Sequence, residues 1–197
     1  MKRFYKETAV DRAANGDAAP GWRVLLDGRP MRTPAKSVLV VPTEALAEAI
    51  AEEWRGVPEG SELNVSQLAL TRLAATGLDR VASQRGKVIE DTAKYGASDL
   101  LCYRATEPES LVRRQHELWQ PLLDWVRERH GAELAVASGL TFVSQPNAAL
   151  ARLRRAVEAH SDMALSALYN LTHIAGSLVI ALAIAEGRLD AEQAFTA

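Results

Sequence analysis

A single cysteine in 197 residues, Cys102, leaves no partner for an intrachain disulfide and fits a reducing compartment. Its neighbours Leu101 and Tyr103 favour a buried, inert thiol over a nucleophile. With one cysteine there is also no paired C-x-x-C. A phosphate loop of the form G-x-x-x-x-G-K-[ST] is missing, as are G-x-G-x-x-G, H-E-x-x-H and G-x-S-x-G. Those gaps exclude the usual phosphate cradle, dinucleotide turn, zinc helix and nucleophile elbow. The four histidines lie scattered at 116, 130, 160 and 173, and adjacent His116 and Glu117 would point to different sides of a helix. No catalytic group, metal or cofactor is therefore expected.

Charge of one sign is also lacking. Twenty-three Lys and Arg face twenty-five Asp and Glu, for a net charge of -2. The basic groups (Arg113-Arg114, Arg127 to His130, Arg152 to Arg155) are short and interleaved, which reads as solvated helix faces rather than a nucleic-acid stripe. Met1-Lys2-Arg3-Phe4-Tyr5 has no apolar run behind its basic residues, so no secretory signal is expected and the cytoplasm is the expected location. From Met163 to Ala185 there is no charged side chain, but Ser166, Asn170, Thr172, His173 and Ser177 interrupt the run. Desolvating them in lipid would cost several kcal/mol, roughly. One long helix over 162–187, surrounded by other helices, is the prediction, with His173 as a hydrogen-bonded core residue.

The remaining pattern is α+β: a small N-terminal antiparallel β domain with one helix, then a larger all-helical domain. Trp22 to Leu26, Asp27-Gly28 and Arg29 to Thr33 form a hairpin signal, because both turn positions need positive φ. Pro30 places the second strand at an edge. Phe4 to Val10 and Ser37 to Val41 read as further strands, with a loop over 13–20. Thr43 is a helix N-cap, and Ala45, Leu46, Ala49, Ile50 and Trp54 are the expected inner face. Gly56 to Gly60 is the clearest linker, which gives domains 1–60 and 61–197. Beyond it, helices are expected up to Leu101, from a Thr106-x-x-Glu109 capping box to Gly131 with Leu111 inward and a kink or break at Pro121, and over 144–160. Residues 134–143 should be extended. Asp190-x-x-Gln193 is a second capping box.

The segment from Asp91 to Trp125 carries the most specific surface. In one continuous helix, Asp91, Tyr95 and Asp99 would share a stripe at i, i+4 and i+8. They are the candidate partner-binding residues, although solvation alone would also account for the two aspartates. Arg72 and Arg104 join them as candidate ion partners, with an intramolecular ion pair the alternative for Arg104. Trp119 and Trp125, six positions apart, cannot share one narrow buried stripe, so one of them should be partly exposed.

Several blocks in order carry a family resemblance: G-W-R-V-L-L-D-G-R-P-M-R-T-P, V-P-T-E-A-L-A-E-A-I-A-E-E-W, L-T-R-L-A-A-T-G-L-D-R-V, D-L-L-C-Y-R-A-x-E-P-E-x-L-V and W-x-P-L-L-D-W. From about Phe4 to Phe195 the chain resembles the assembly chaperones of the F-type ATP synthase alpha subunit, known from mitochondria and alpha-proteobacteria; here the bacterial branch fits. The resemblance implies a non-enzymatic protein that holds the free alpha subunit until the beta subunit replaces it. A monomer is expected, without nucleic-acid binding or membrane insertion, and the eukaryotic relatives would work in the mitochondrial matrix. It also implies a further acidic and aromatic helical segment after Glu192-Gln193-Ala194-Phe195, before which this sequence stops. The alternative is a small-molecule enzyme of unrecognised type with its site in the helical domain.

Overall fold

The structure is a computed structural model that describes residues 2–13, 20–139 and 141–197. The chain forms two compact units, Met1–Ser83 and Gln84–Ala197, and its class is α+β, with antiparallel strands followed by helices.

In the first unit the Asp27-Gly28 signal gives the hairpin it predicts. Strand β2 (Trp22–Leu26) turns into β3 (Arg29–Pro30), with φ of 49° at Asp27 and 75° at Gly28. Strand β1 (Thr8–Arg12) lies antiparallel along the other side of β2, with Thr8 opposite Leu26 and Arg12 opposite Trp22. Strand β4 (Val40–Val41) also pairs with β2, Trp22 facing Val41. So β2 is central, and Pro30 sits where its missing N–H breaks no inner ladder. The first strand starts at Thr8 rather than Phe4, and the apolar run at 37–41 yields only two paired strand residues plus a Val38–Arg32 bridge. Most of the loop expected at 13–20 lies outside the described residues.

Helix α1 (Glu44–Arg55) opens at Thr43, whose hydroxyl accepts the Leu46 N–H at 3.3 Å. It packs on β1 and β2 through Ala47, Ile50, Ala51 and Trp54. Ala45 and Ala49, expected inward, are exposed. Alanine carries too little apolar area to fix which way a helix rolls, whereas Ile50 and Trp54 each gain about 1.5–3 kcal/mol on burial.

Helix α2 (Ala69–Thr76) belongs to the same unit, so the glycine-proline linker at 56–60 lies within it. The reason is a tie back to α1. Residue Leu68 provides no side-chain cap for α2. Glu53, on α1, supplies one: its carboxylate accepts from the Leu70 N–H (2.6 Å), the Thr71 N–H (2.9 Å) and the Thr71 hydroxyl (2.8 Å). The Trp54 indole N–H donates to the same hydroxyl at 3.0 Å, and the Tyr5 hydroxyl donates to the Trp54 carbonyl at 2.6 Å. A widened turn over Gly77–Val81 leads to α3 (Ala82–Ala93), whose helical geometry lapses at Gln84 (φ −127°, ψ 25°), where the two units divide.

In the second unit, α3 ends at Ala93 instead of Leu101. Tight turns over Lys94–Ser98 and Leu100–Cys102 follow, then β5 (Tyr103–Arg104). Gly96 lets this turn pass close to Leu153, since a Cβ there would stand 2.8 Å from Leu153 Cδ1. Helix α4 (Glu109–His130) starts one residue after Pro108, and the Thr106 capping box does not form. Pro108 holds an extended backbone (ψ 161°) and biases Glu107 away from helix, so the helix begins too late for Thr106 to cap it. Pro121 neither ends nor splits the helix; Gly131, at φ 66°, closes it. Trp119, Leu122, Leu123 and Val126 face inward, whereas Leu111 is exposed. Trp125 is the half-buried member of its pair, its ring edge-on to His130 at 5.6 Å.

Strand β6 (Ala137–Ser138) pairs in parallel with β5, inside the stretch expected to be extended; Leu140 lies outside the described residues. Helix α5 (Asn147–Glu158) follows. The single long apolar helix expected at 162–187 is two: α6 (Asp162–Ala175) and α7 (Leu178–Ala185). Gly176, left-handed at φ 64°, ends the first, and the Ser177 hydroxyl caps the second by accepting the Ile180 N–H at 3.1 Å. Leu178 to Ala183 are all buried, the position that an all-round apolar helix demands. Among the described residues no helix is long and apolar enough to cross a membrane. Helix α8 (Ala191–Thr196) opens with the Asp190–Gln193 capping box as expected.

Candidate functional site

Because the chain bends after Ala93, the proposed stripe separates. Asp91 stays at the half-exposed surface. It accepts from Lys87 Nζ at 2.8 Å and Lys94 Nζ at 2.9 Å, and those hydrogen bonds hold its carboxyl down at about 2. Asp99 goes inside and is 0% exposed. Its Oδ1 accepts from the Ser177 hydroxyl (2.7 Å) and the Leu101 N–H (3.1 Å), and its Oδ2 accepts from the Val179 N–H (3.0 Å). It therefore fastens the N-terminus of α7 to the turn at 100–102, and its side chain is not offered to a partner. Burial raises its pKa, while those hydrogen bonds pull the other way.

Tyr95 lies between these two fates, half-buried, with its ring 4.9 Å from that of His173. The His173 ring is 4.0 Å from Tyr169, and Nδ1 is 2.8 Å from the Tyr169 carbonyl oxygen. His173 is thus an exposed ring in an aromatic group rather than a core residue. Beside it Ile174 is 84% exposed, and Leu100, whose N–H reaches the Gly176 carbonyl at 3.3 Å, is 45% exposed. Apolar and aromatic side chains bordered by the Lys87–Asp91–Lys94 charges make a surface suited to a protein partner. The pattern at 163–185 concealed it, since an apolar run gives no sign of which member faces out.

Arg104 is held by main-chain carbonyls and an aromatic ring. Its guanidinium donates to the carbonyls of Leu101 (2.9 Å) and Gln115 (3.0 Å) and lies over the Trp119 ring at 5.5 Å. Burial lowers its pKa. It joins the turn at 100–102 to α4, and no carboxylate lies within ion-pair distance of it among the described residues. Arg72 belongs to the first unit, exposed, with Nη1 donating to the Ser66 carbonyl at 3.0 Å. Cys102 is fully buried and its thiol is pushed up to about 12 by burial, so it holds its proton and does not act as a nucleophile.

Among the described residues no group of three His, Cys, Asp or Glu side chains could hold a metal. A cavity of about 610 Å³ in the helical unit is lined by Arg129, His130, Arg152, Arg155, His160 and Glu186. Its one carboxylate, Glu186, is already engaged by Arg129 Nε at 2.7 Å, and His130 Nε2 stands 2.9 Å from its other oxygen.

Comparison with known proteins decides the family of the chain. The family model described as ATP12 chaperone protein matches residues 2–127. The chain belongs to the ATP12 chaperone family. Atp12 from Paracoccus denitrificans is 41% identical, with 98% of this chain and 80% of that one covered and a TM-score of 0.86. A single-site variant of the same protein gives 42% identity, the same coverage and 0.87. A candidate chaperone from Agrobacterium tumefaciens gives 39% identity, 98% and 70% coverage and 0.88. The chain is thus similar to alpha-proteobacterial ATP12 members in sequence and fold, and its work is chaperoning in ATP synthase assembly.

Proposed function

We propose that this ATP12-family chain binds the free alpha subunit of the F-type ATP synthase and covers its subunit interface until the beta subunit takes its place, without catalysing a reaction. One observation carries the reading of the site: Ile174 stands almost fully in solvent within a group of aromatic rings, beside a lysine–aspartate network. A lone subunit of an obligate ring exposes a face like a cut hydrophobic core, which aggregates unless covered. An apolar patch with a charged border can cover such a face and still release it, because the border limits affinity and the incoming subunit offers a larger interface. Of the candidate residues, Asp91 and Tyr95 remain on this face and Tyr169, His173, Ile174 and Leu100 join it. The chain is proposed to act as a monomer in the bacterial cytoplasm.

The test is capture and protection. The chain, mixed with purified alpha subunit, should form a complex on size-exclusion chromatography and suppress light scattering by the alpha subunit at near-stoichiometric ratio. An alpha subunit that aggregates at the same rate with and without the chain defeats the proposal.

A further inference from the structure

The first unit holds a groove of about 1130 Å³ that the surface above does not use. Its floor is apolar, with buried Met31, Leu39 and Trp54, and its lip carries Phe4, 60% exposed, and Val65, 45% exposed. Four arginines line it (Arg29, Arg32, Arg72 and Arg80), and none has a carboxylate within ion-pair distance among the described residues. Its two aspartates are committed to the backbone. Asp27 Oδ1 accepts the N–H groups of Lys6 (2.9 Å) and Glu7 (2.8 Å), and Asp79 Oδ2 accepts that of Ala35 (2.9 Å). Two buried polar atoms of the lining have no hydrogen-bond partner among the described residues: the hydroxyl of Thr33, a residue 5% exposed, and Oδ1 of Asp79. Buried polar atoms are nearly always satisfied, so each such orphan calls for an explanation.

We propose that this groove receives an extended peptide segment of the client, apolar at its centre and flanked by Asp or Glu. A peptide backbone supplies what the orphans lack, an N–H for Asp79 Oδ1 and a carbonyl for the Thr33 hydroxyl. Its apolar side chains cover the floor, and its carboxylates meet Arg72 and Arg80. The volume exceeds the roughly 300–1,000 Å³ usual for small-molecule pockets, which favours a chain segment over a metabolite. This inference rests on the chaperone reading and adds a second docking point with its own chemistry.

The test uses overlapping peptides covering the ATP synthase alpha subunit, with affinities measured for the unaltered chain, for Arg72→Glu/Arg80→Glu and for Thr33→Val. The unaltered chain should select apolar peptides with acidic flanks. The double charge reversal should weaken them about tenfold or more. Thr33→Val should weaken them about fivefold, the value of one hydrogen bond, with no loss of thermal stability, because that hydroxyl has no partner among the described residues. Should the chain capture whole alpha subunit while no peptide binds, or while the variants bind peptides as well as the parent, the groove proposal is overturned and the chaperone reading stands. Should the unaltered chain fail to capture alpha subunit, the client reading falls and the groove falls with it.

Discussion

Asp91 and Asp99 lie eight residues apart in one short segment and do opposite work. Around Asp91 the partners are flexible lysine ammoniums in solvent, which stabilise its charge without fixing the backbone. Around Asp99 the partners are a hydroxyl and two main-chain N–H groups in a dry interior, and they tie a turn to the start of α7. The first region is a surface ion-pair network, whereas the second is architecture. Position along the chain says little about which role a carboxylate takes; what surrounds it after folding decides.

Asp99→Ala should produce the largest effect. It strands three donors, two of them helix or turn N–H groups, and should lower stability by about 3 kcal/mol or more. Asp99→Asn should cost less but still above about 1 kcal/mol, since its NH2 group meets donors. Urea unfolding measures both, and an Asp99→Ala loss under that lower figure would remove the contrast. Glu53→Ala examines the same device in the first unit, where a distant carboxylate caps α2; a loss of about 1–2 kcal/mol is expected by the same measurement. Ile174→Asp should leave stability within about 0.5 kcal/mol of the parent, because the side chain is in water already. It should nonetheless weaken alpha-subunit binding about tenfold or more by calorimetry. Unchanged affinity would move the client off this face.

The smallest effect is in the titrations. Asp91, held at about 2, contributes stability in full above the unfolded value near 3.9, and that contribution fades as pH falls through about 2. Asp99, raised by burial, behaves inversely: as pH rises past the unfolded value, the unfolded chain releases this proton first and the group's contribution falls until the folded carboxyl ionises. NMR titration of the side-chain carboxyl carbons should place the two midpoints on opposite sides of the ordinary aspartate value. Midpoints on the same side would show that the two environments differ less than their burial implies.

Much of the fold was legible where the cause is local. Asp27-Gly28 made its hairpin, Thr43 and Asp190 capped their helices, and Gly131 ended α4. Each needs only a few neighbouring residues and a backbone angle. The ordered sequence blocks also named the family, which the match to residues 2–127 and the solved relatives bear out. The candidate site was legible only in part. Asp91 and Tyr95 were placed on a surface, but the stripe assumed a helix that ends at Ala93 and gives way to tight turns. Arg104 was read as an ion partner because its carbonyl acceptors, on Leu101 and Gln115, carry no sequence signature.

Composition, turn chemistry and block order on their own determined an α+β chain of this chaperone family, since those signals act over a few residues or are written directly in the letters. Tertiary structure alone decided that 163–185 breaks into two helices, that Asp99 and Glu53 cap helices far from them in sequence, and that Ile174 faces water. Those outcomes depend on which groups desolvate one another once distant segments meet, and the cost of an unpaired buried N–H or carboxylate has no value until that meeting occurs.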